Sequence, residues 1–168
     1  SNYDKEYTEK AAAMLRELHC PFVINQRRYS IFDRTIEEDG VKEFCREAGV
    51  GVIAFSPLAQ GMLTDKYLGG IPKDSRIGRD PRFLRAEALT EKRLDQIARL
   101  NELAAKRGQT LAQMALSWVL RDGDVCSVLI GASRPSQILE TRTVFEHTCF
   151  SEEEIRKIDE ISRETFEA

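Results

Sequence analysis

The chain has 168 residues, with 25 Lys and Arg against 28 Asp and Glu, a net charge of −3 and a pI near 5.6. That length suits one domain with its own core, and the mildly acidic, mixed-sign balance offers no general attraction to nucleic acid or anionic membranes. No apolar run approaches the roughly 18 residues needed to cross a bilayer, and the polar first residues carry no leader pattern. The four cysteines, Cys20, Cys45, Cys126 and Cys149, form no C-x-x-C pair, so a cytoplasmic protein with reduced, buried thiols and no metal site is expected.

Apolar residues at helical spacing (Ala11, Met14, Leu15, Leu18) predict a helix over residues 7–18, capped by Asp4 or Thr8. Pro21 ends it, and Phe22, Val23 and Ile24 form a short β-rich run that turns polar at Asn25 and Gln26. A second helix fits residues 40–48, with Val41, Phe44 and Cys45 on one face and Gly49 as its stop. Gly51, Val52, Ile53, Ala54 and Phe55 follow as an unbroken apolar strand, the pattern of strands buried on both faces in a parallel sheet. Residues 58–89 are rich in glycine, proline and charge, and are too long for an ordinary connection, which marks a functional or mobile loop. Helices resume over 90–106 and 110–120; the latter is apolar on most sides and packs inward with Trp118. A third strand is expected over 127–130, ended by Gly131, Ala132 and Ser133. Pro135 opens a helix reaching about residue 144. Ser151-x-x-Glu154 is a capping box before a last helix with Ile155, Ile158 and Ile161 on its buried face.

This alternation indicates an α/β fold with a parallel sheet and right-handed crossovers. Only three full strands are present, and a (β/α)8 barrel would need about five more. In such folds ligands gather at the carboxyl ends of the strands. Those ends carry Gln26, then Phe55, Ser56, Pro57 and Leu58, then Gly131, Ala132, Ser133 and Arg134. The last group precedes Pro135 and offers N–H groups at a helix start, which suits phosphate. His19 and His147 fall at helix ends and read as surface or capping residues. No metalloprotease, hydrolase-elbow, dinucleotide-glycine or Walker pattern is present. From the residues alone, the reading stops at a ligand-binding α/β segment.

Six short motifs carry more when taken in order: Ser1-Asn2-Tyr3, Asn25-Gln26-x-x-Tyr29, Ala54-Phe55-Ser56-Pro57-Leu58-Ala59-Gln60-Gly61, Leu63-Thr64-x-Lys66-Tyr67, Ser75-Arg76 and Ile130-Gly131-Ala132-Ser133-Arg134-x-x-Gln137. In this order and spacing the whole chain resembles the C-terminal half of an aldo-keto reductase. Its long loop and Gly-Ala-Ser turn are most similar to the bacterial glyceraldehyde-phosphate-reductase-like members and the potassium-channel β-subunits. The resemblance implies the C-terminal portion of a (β/α)8 TIM barrel. It has about three parallel strands with covering helices, arranged as a single partial domain over residues 1–168 with a cofactor-covering loop at 58–89.

The same resemblance implies an NADP(H) site. Ser1, Asn2 and Gln26 would hold the nicotinamide carboxamide, and Phe55 would stack on the ring. Ser56, Pro57, Leu58 and Ala59 would line the pyrophosphate path, with Lys66 and Arg76 closing over it. Gly131, Ser133, Arg134 and Gln137 match the region of the adenosine 2′-phosphate, where a basic residue favours NADP over NAD. Glu140 matches the acidic residue facing the adenine amino group. Thr141 stands where the family usually has Asn, which removes one amide contact. The family's catalytic Asp, Tyr, Lys and His lie on the first four strands, and no residue here matches any of them. The implied function is therefore the cofactor-binding half of a reductase of small aldehydes and ketones. The alternative is a non-catalytic nucleotide-binding or self-associating half-barrel, and pairing with a second copy or with the missing barrel segments is expected from the open sheet.

Overall fold

Capping side chains start most of the longer helices in the computed structural model, which describes residues 1–72, 75, 77 and 84–164. The Asp4 carboxylate accepts the Tyr7 amide at 2.9 Å and opens α1 (Lys5–Glu17). Thr8, the other expected cap, lies buried within that helix. Strand β1 (Ile24–Arg28) leads through a short helix, α2 (Thr35–Glu38), to α3 (Val41–Glu47) and β2 (Gly51–Phe55). Thr90 caps α4 (Glu91–Lys106), and Thr110 with Gln113 forms a capping box for α5 (Leu111–Val119). Strand β3 (Val125–Val128), α6 (Pro135–Thr141) and α7 (Glu152–Arg163) complete the order, the last opened by the expected Ser151–Glu154 box. Among the described residues between β2 and α4 the chain makes single 3-10 turns at Ala59–Gly61, Asp65–Tyr67 and Ala86–Ala88. A fourth 3-10 stretch, Arg142–His147, takes over where the helix from Pro135 was expected to continue.

The three strands are parallel in the order β1–β2–β3, as the α/β reading requires. Two strand positions differ from expectation. β1 runs through Asn25, Gln26 and Arg27 because Asn25 and Arg27 find partners on the helix side. Arg27 donates to Asp39 at 2.6 Å and to the Tyr3 carbonyl, and Asn25 donates to Thr8 at 3.5 Å. β3 begins two residues early, at Val125, which pairs with Val52. The next pair is Ile53 with Ser127, so Cys126 is an extra residue in a bulge, its thiol donating to the Val52 carbonyl at 3.2 Å.

Burial alternates along β1 and β2, contrary to the expectation of strands covered on both sides. Asn25, Arg27, Val52, Ala54 and Val125 face the helices and are buried, whereas Ile24 and Arg28 are exposed and Gln26, Ile53 and Phe55 half-buried. The helices cover one face and the second faces outward among the described residues. The buried face carries a single core with Trp118 at its centre, in α5, which is buried on nearly every side as its composition demands. The thiols also depart from expectation: Cys45 is buried, but Cys20, Cys126 and Cys149 are exposed.

One charged node ties the C-terminal helices to the residues that follow β1, and a second ties the end of α4 to the start of α7. The Tyr29 hydroxyl donates to Glu37, Arg121 donates to both Tyr29 (2.9 Å) and Glu37 (3.0 Å), and Arg34 and Arg163 approach the second Glu37 oxygen at 3.8 and 3.5 Å. Arg121 and Arg34 lie over the Trp118 ring at 3.8 and 4.5 Å, and Arg34 also pairs with Asp159 of α7 at 2.6 Å. In the second node, Arg107 pairs with Glu154 at 2.6 Å, donates to the His147 and Cys149 carbonyls at 3.0 Å each, and lies over Phe150.

Removing the Glu37 carboxylate strands guanidinium groups in a mostly buried site, so Glu37→Ala should lower the unfolding free energy in urea by about 3 kcal/mol. A loss under about 1 kcal/mol would show the node to be ornamental. Glu154 supplies a pH test. Burial opposes its ionisation, but the Ser151 amide and the Arg107 guanidinium outweigh it and hold the carboxyl below the usual range. A carboxyl lowered in the folded state stabilises above its unfolded value and loses that contribution as pH falls through the folded one. The stability gap between the unaltered chain and Glu154→Gln should therefore be largest near neutrality and shrink below about pH 4 in acid-unfolding curves.

Candidate nucleotide site

β1 and β2 bring Gln26 and Phe55 to neighbouring positions at their carboxyl ends, with Gln26 paired to Ile53 and Arg28 to Phe55. The Tyr29 amide continues the ladder to the Phe55 carbonyl at 3.3 Å, and the Leu129 amide to the Ala54 carbonyl at 2.8 Å. These bonds set the exit of β3, and so Ile130 and Gly131, beside Phe55. Ser1 and Asn2 lie along the outer edge of β1: the Asn2 amide donates to the Gln26 carbonyl at 3.0 Å and the Ser1 hydroxyl approaches the same oxygen at 3.5 Å. They occupy the place where the carboxyl end of a further strand would run. The Gln26 side-chain amide is half-buried, points to the outward face and has no hydrogen-bond partner among the described residues.

The turn after β2 holds an unusual backbone. Ser56 (φ 53°), Ala59 (φ 47°) and Gln60 (φ 61°) all lie in the left-handed region, followed by Gly61 (φ 99°). Three such side-chain-bearing residues within five positions cost of order 1–3 kcal/mol each, and strain of this kind concentrates at ligand sites. Side chains fix the turn: Gln60 donates its amide N–H to the Ser56 hydroxyl oxygen at 2.8 Å, and Thr64 donates to the Gly61 carbonyl at 2.7 Å. The motif reading named Ser56, Pro57, Leu58 and Ala59 but assigned no role to Gln60. The signal for it was local: a polar amide four residues beyond a serine, within reach of its hydroxyl.

At the third strand end, Gly131, Ser133 and Arg134 are exposed and Gln137 half-buried. The Gln137 carbonyl oxygen accepts from the Ser133 and Arg134 amides, at 2.8 and 3.2 Å, and from the Ser133 hydroxyl at 3.3 Å. Gln137 thus organises the turn from within, leaving the Arg134 side chain without a partner among the described residues. A Cβ built on Gly131 meets nothing within 4 Å, and its φ is not positive, so packing does not demand a glycine there. Glu140 is exposed and its carbonyl accepts from Gln113 at 2.7 Å, while the Thr141 hydroxyl donates to the Ile138 carbonyl at 2.9 Å. Lys66, in the turn Asp65–Tyr67 that packs against α4, is exposed and unpaired among the described residues. Arg76 lies outside the described residues.

Among the described residues no acid–base constellation accompanies this set. Tyr29 is fully buried on the helix side, where burial above all, with Glu37 adding and Arg121 opposing, pushes its hydroxyl far above the ordinary range. His19 and His147 are exposed, and neither falls at the carboxyl end of a strand, as expected of surface residues. A hollow of about 540 Å³ lined by Ala12, His19, Cys20, Phe22 and Val50 lies at the opposite, amino ends of the strands. Among the described residues no group of His, Cys, Asp and Glu could hold a metal ion, and no helix is long and apolar enough to cross a membrane.

Residues 1–163 match the family model described as the aldo/keto reductase family. The L-glyceraldehyde 3-phosphate reductase of Escherichia coli K12 is 46% identical over 163 residues, which cover 95% of this chain and 47% of the relative. Among solved structures, a glycerol dehydrogenase from Gluconobacter oxydans superposes with a TM-score of 0.74 at 29% identity, over 99% of this chain and 51% of that one. A thermostable aldo-keto reductase solved with the inhibitor epalrestat gives 0.66 at 29% identity, over 95% and 46%. The chain spans about half the length of these relatives, with three parallel strands and their helices as the shared part. On this match the chain belongs to the aldo/keto reductase family.

Proposed function

We propose that this chain is the cofactor-side half of an NADPH-dependent reductase that converts small aldehydes and ketones to alcohols, forming one partial domain over residues 1–168. The observation that carries the reading is the convergence at three adjacent strand ends of an unpaired amide, an aromatic ring, a strained hydroxyl-bearing turn and an unpaired guanidinium. That donor set fits a nicotinamide nucleotide phosphate. Ser1, Asn2 and Gln26 would hold the carboxamide, with Gln26 both donor and acceptor. The half-buried Phe55 ring offers a stacking face. The turn of Ser56, Pro57, Leu58 and Ala59, held by Gln60, would follow the pyrophosphate, and Lys66 and Arg76 in the covering loop 58–89 would neutralise it. Ser133 and Arg134, ordered by Gln137, would take the 2′-phosphate, with the adenine toward Glu140 and Thr141. Bound NADPH supplies a hydride for the carbonyl carbon. The proton for the carbonyl oxygen must come from residues outside this chain, which holds no counterpart of the family's Asp, Tyr, Lys and His.

A second reading, a half-barrel that self-associates, draws on the exposed apolar surface. Tyr3, Tyr7, Met14 and Leu18 are 50–73% exposed. Tyr7 and Met14 lie on one face of α1, with Tyr3 just ahead of its N-cap and Leu18 at its C-cap. Ile24, on the outward face of the edge strand β1, is 48% exposed. Edge strands with apolar neighbours pair readily.

In equilibrium titrations NADPH should bind more tightly than NADH, and Arg134→Ala should weaken NADPH at least about tenfold while leaving NADH nearly unchanged. Gly131→Ala should weaken both nucleotides while leaving the unfolding free energy within about 0.5 kcal/mol. Equal affinity for the two nucleotides would contradict the assignment. Purified to homogeneity, the 168-residue chain should not oxidise NADPH with an added aldehyde; measurable turnover would mean that an acid group has been overlooked. For the second reading, sedimentation equilibrium at micromolar concentration should show dimers or larger species. A cooperatively unfolding monomer of 19.1 kDa would remove it.

A further inference from the structure

Four of the six residues from Ser56 to Gly61 hold left-handed backbone angles, and only the last of the four is a glycine. A Cβ on Gly61 would meet nothing within 4 Å, so its φ of 99° alone accounts for the glycine. Ser56, Ala59 and Gln60 keep side chains at φ of 53°, 47° and 61°. None is Asn, Asp or His, the types that tolerate this region. A glycine at any of the three would relieve the backbone. At two of them it would also delete a partner in one bond, since Gln60 donates its amide N–H to the Ser56 hydroxyl oxygen at 2.8 Å.

That bond joins the first strained residue to the last one that carries a side chain. Within the span, the Ala59 amide donates to the Ser56 carbonyl at 2.9 Å and the Gly61 amide to the Leu58 carbonyl at 2.8 Å. The sheet holds the start of the turn through the Tyr29 and Leu129 amides, bonded to the Phe55 and Ala54 carbonyls. The Thr64 hydroxyl holds its end at the Gly61 carbonyl. Between those anchors, the Gln60 side chain works against the backbone preference of Ser56, Ala59 and Gln60 itself.

We propose that Gln60 is a positioning residue: its bond to Ser56 keeps the turn in the strained form that receives the nucleotide, so that binding, rather than the stability of the fold, depends on it. This rests on the reading of residues 56–59 as the pyrophosphate path. A turn released from its clamp relaxes for part of the time to ordinary backbone angles, and affinity falls with the fraction left in the competent form. The pyrophosphate is common to both nucleotides, so NADPH and NADH should lose affinity alike, unlike the selective effect of Arg134→Ala. Glycine at position 60 lacks the clamp as alanine does, but adopts the left-handed angles freely.

Two measurements on the full chain test this: equilibrium titration with NADPH and NADH, and amide hydrogen exchange without nucleotide. Gln60→Ala should raise both dissociation constants at least about fivefold, keep their ratio within about twofold and leave the urea midpoint unmoved. Gln60→Gly should recover about half of that loss or more. In the free chain Gln60→Ala should speed exchange at Ala59 and Gly61 at least about fivefold, with the ladder amides of Tyr29 and Leu129 unchanged. Dissociation constants that stay at the unaltered values, or a glycine variant that binds no more tightly than the alanine one, overturn the proposal. Unchanged exchange at Ala59 and Gly61 overturns it as well. Faster exchange at those amides, in a chain that binds neither nucleotide even when unaltered, keeps the clamp and sinks the nucleotide reading.

Discussion

The Glu37 carboxylate gathers four partners that the chain supplies from four places: Tyr29 just beyond β1, Arg34 ahead of α2, Arg121 after α5 and Arg163 at the end of α7. Glu37, Arg34 and Arg121 are largely withdrawn from water, and buried charges persist only when they neutralise one another and their remaining hydrogens are used. Here the surplus guanidinium groups find the faces of Trp118, itself 5.3 Å from the Tyr29 ring. The consequence reaches the site. Tyr29 is three residues beyond Gln26 and its amide is bonded to the Phe55 carbonyl, so anchoring its side chain fixes the exits of both β1 and β2. A loose Tyr29 would release Gln26, Arg28 and Phe55 together.

The sheet has two chemistries because its two faces meet different neighbours. On the helix side even polar residues are satisfied, Asn25 by Thr8 and Arg27 by Asp39. On the outward face the residues grade from Ile24 through Gln26 to Arg28, and the glycine at 51 leaves room for the Cys126 bulge: a Cβ there would stand 2.9 Å from the Cys126 sulfur. Functional groups collect at the carboxyl ends because that is where loops can carry strained turns and unpaired polar atoms without breaking the ladder. The Ser56 turn, with its three left-handed residues held by Gln60 and Thr64, is that arrangement in its most concentrated form.

Much of this could be read in the amino acids. Helical spacing located α1, α3, α4, α5 and α7 within a residue or two, and capping residues such as Asp4, Ser151 and Glu154 marked starts that the structure uses. The family could be identified from short motifs that sit at strand ends. Other features could not be read, for identifiable reasons. The polar end of β1 carried no strand signal because strand propensity measures side-chain burial, and Asn25 and Arg27 are buried against distant Thr8 and Asp39. The bulge at Cys126 is a property of pairing with Val52, invisible in either strand alone. α2 has only four residues, too few for a periodic signal. Gln60 escaped because a side chain that orients another side chain leaves no pattern longer than its own contact.

The account stands on one claim, that the three carboxyl ends form a nicotinamide nucleotide site. Hydrogen–deuterium exchange of the chain with and without saturating NADPH tests it most directly. Slowed exchange confined to the segments around Gln26, Phe55 to Gly61 and Gly131 to Gln137 is the expected result. Unchanged exchange in all three under saturation, or protection confined to the amino-end hollow near His19 and Val50, would contradict it.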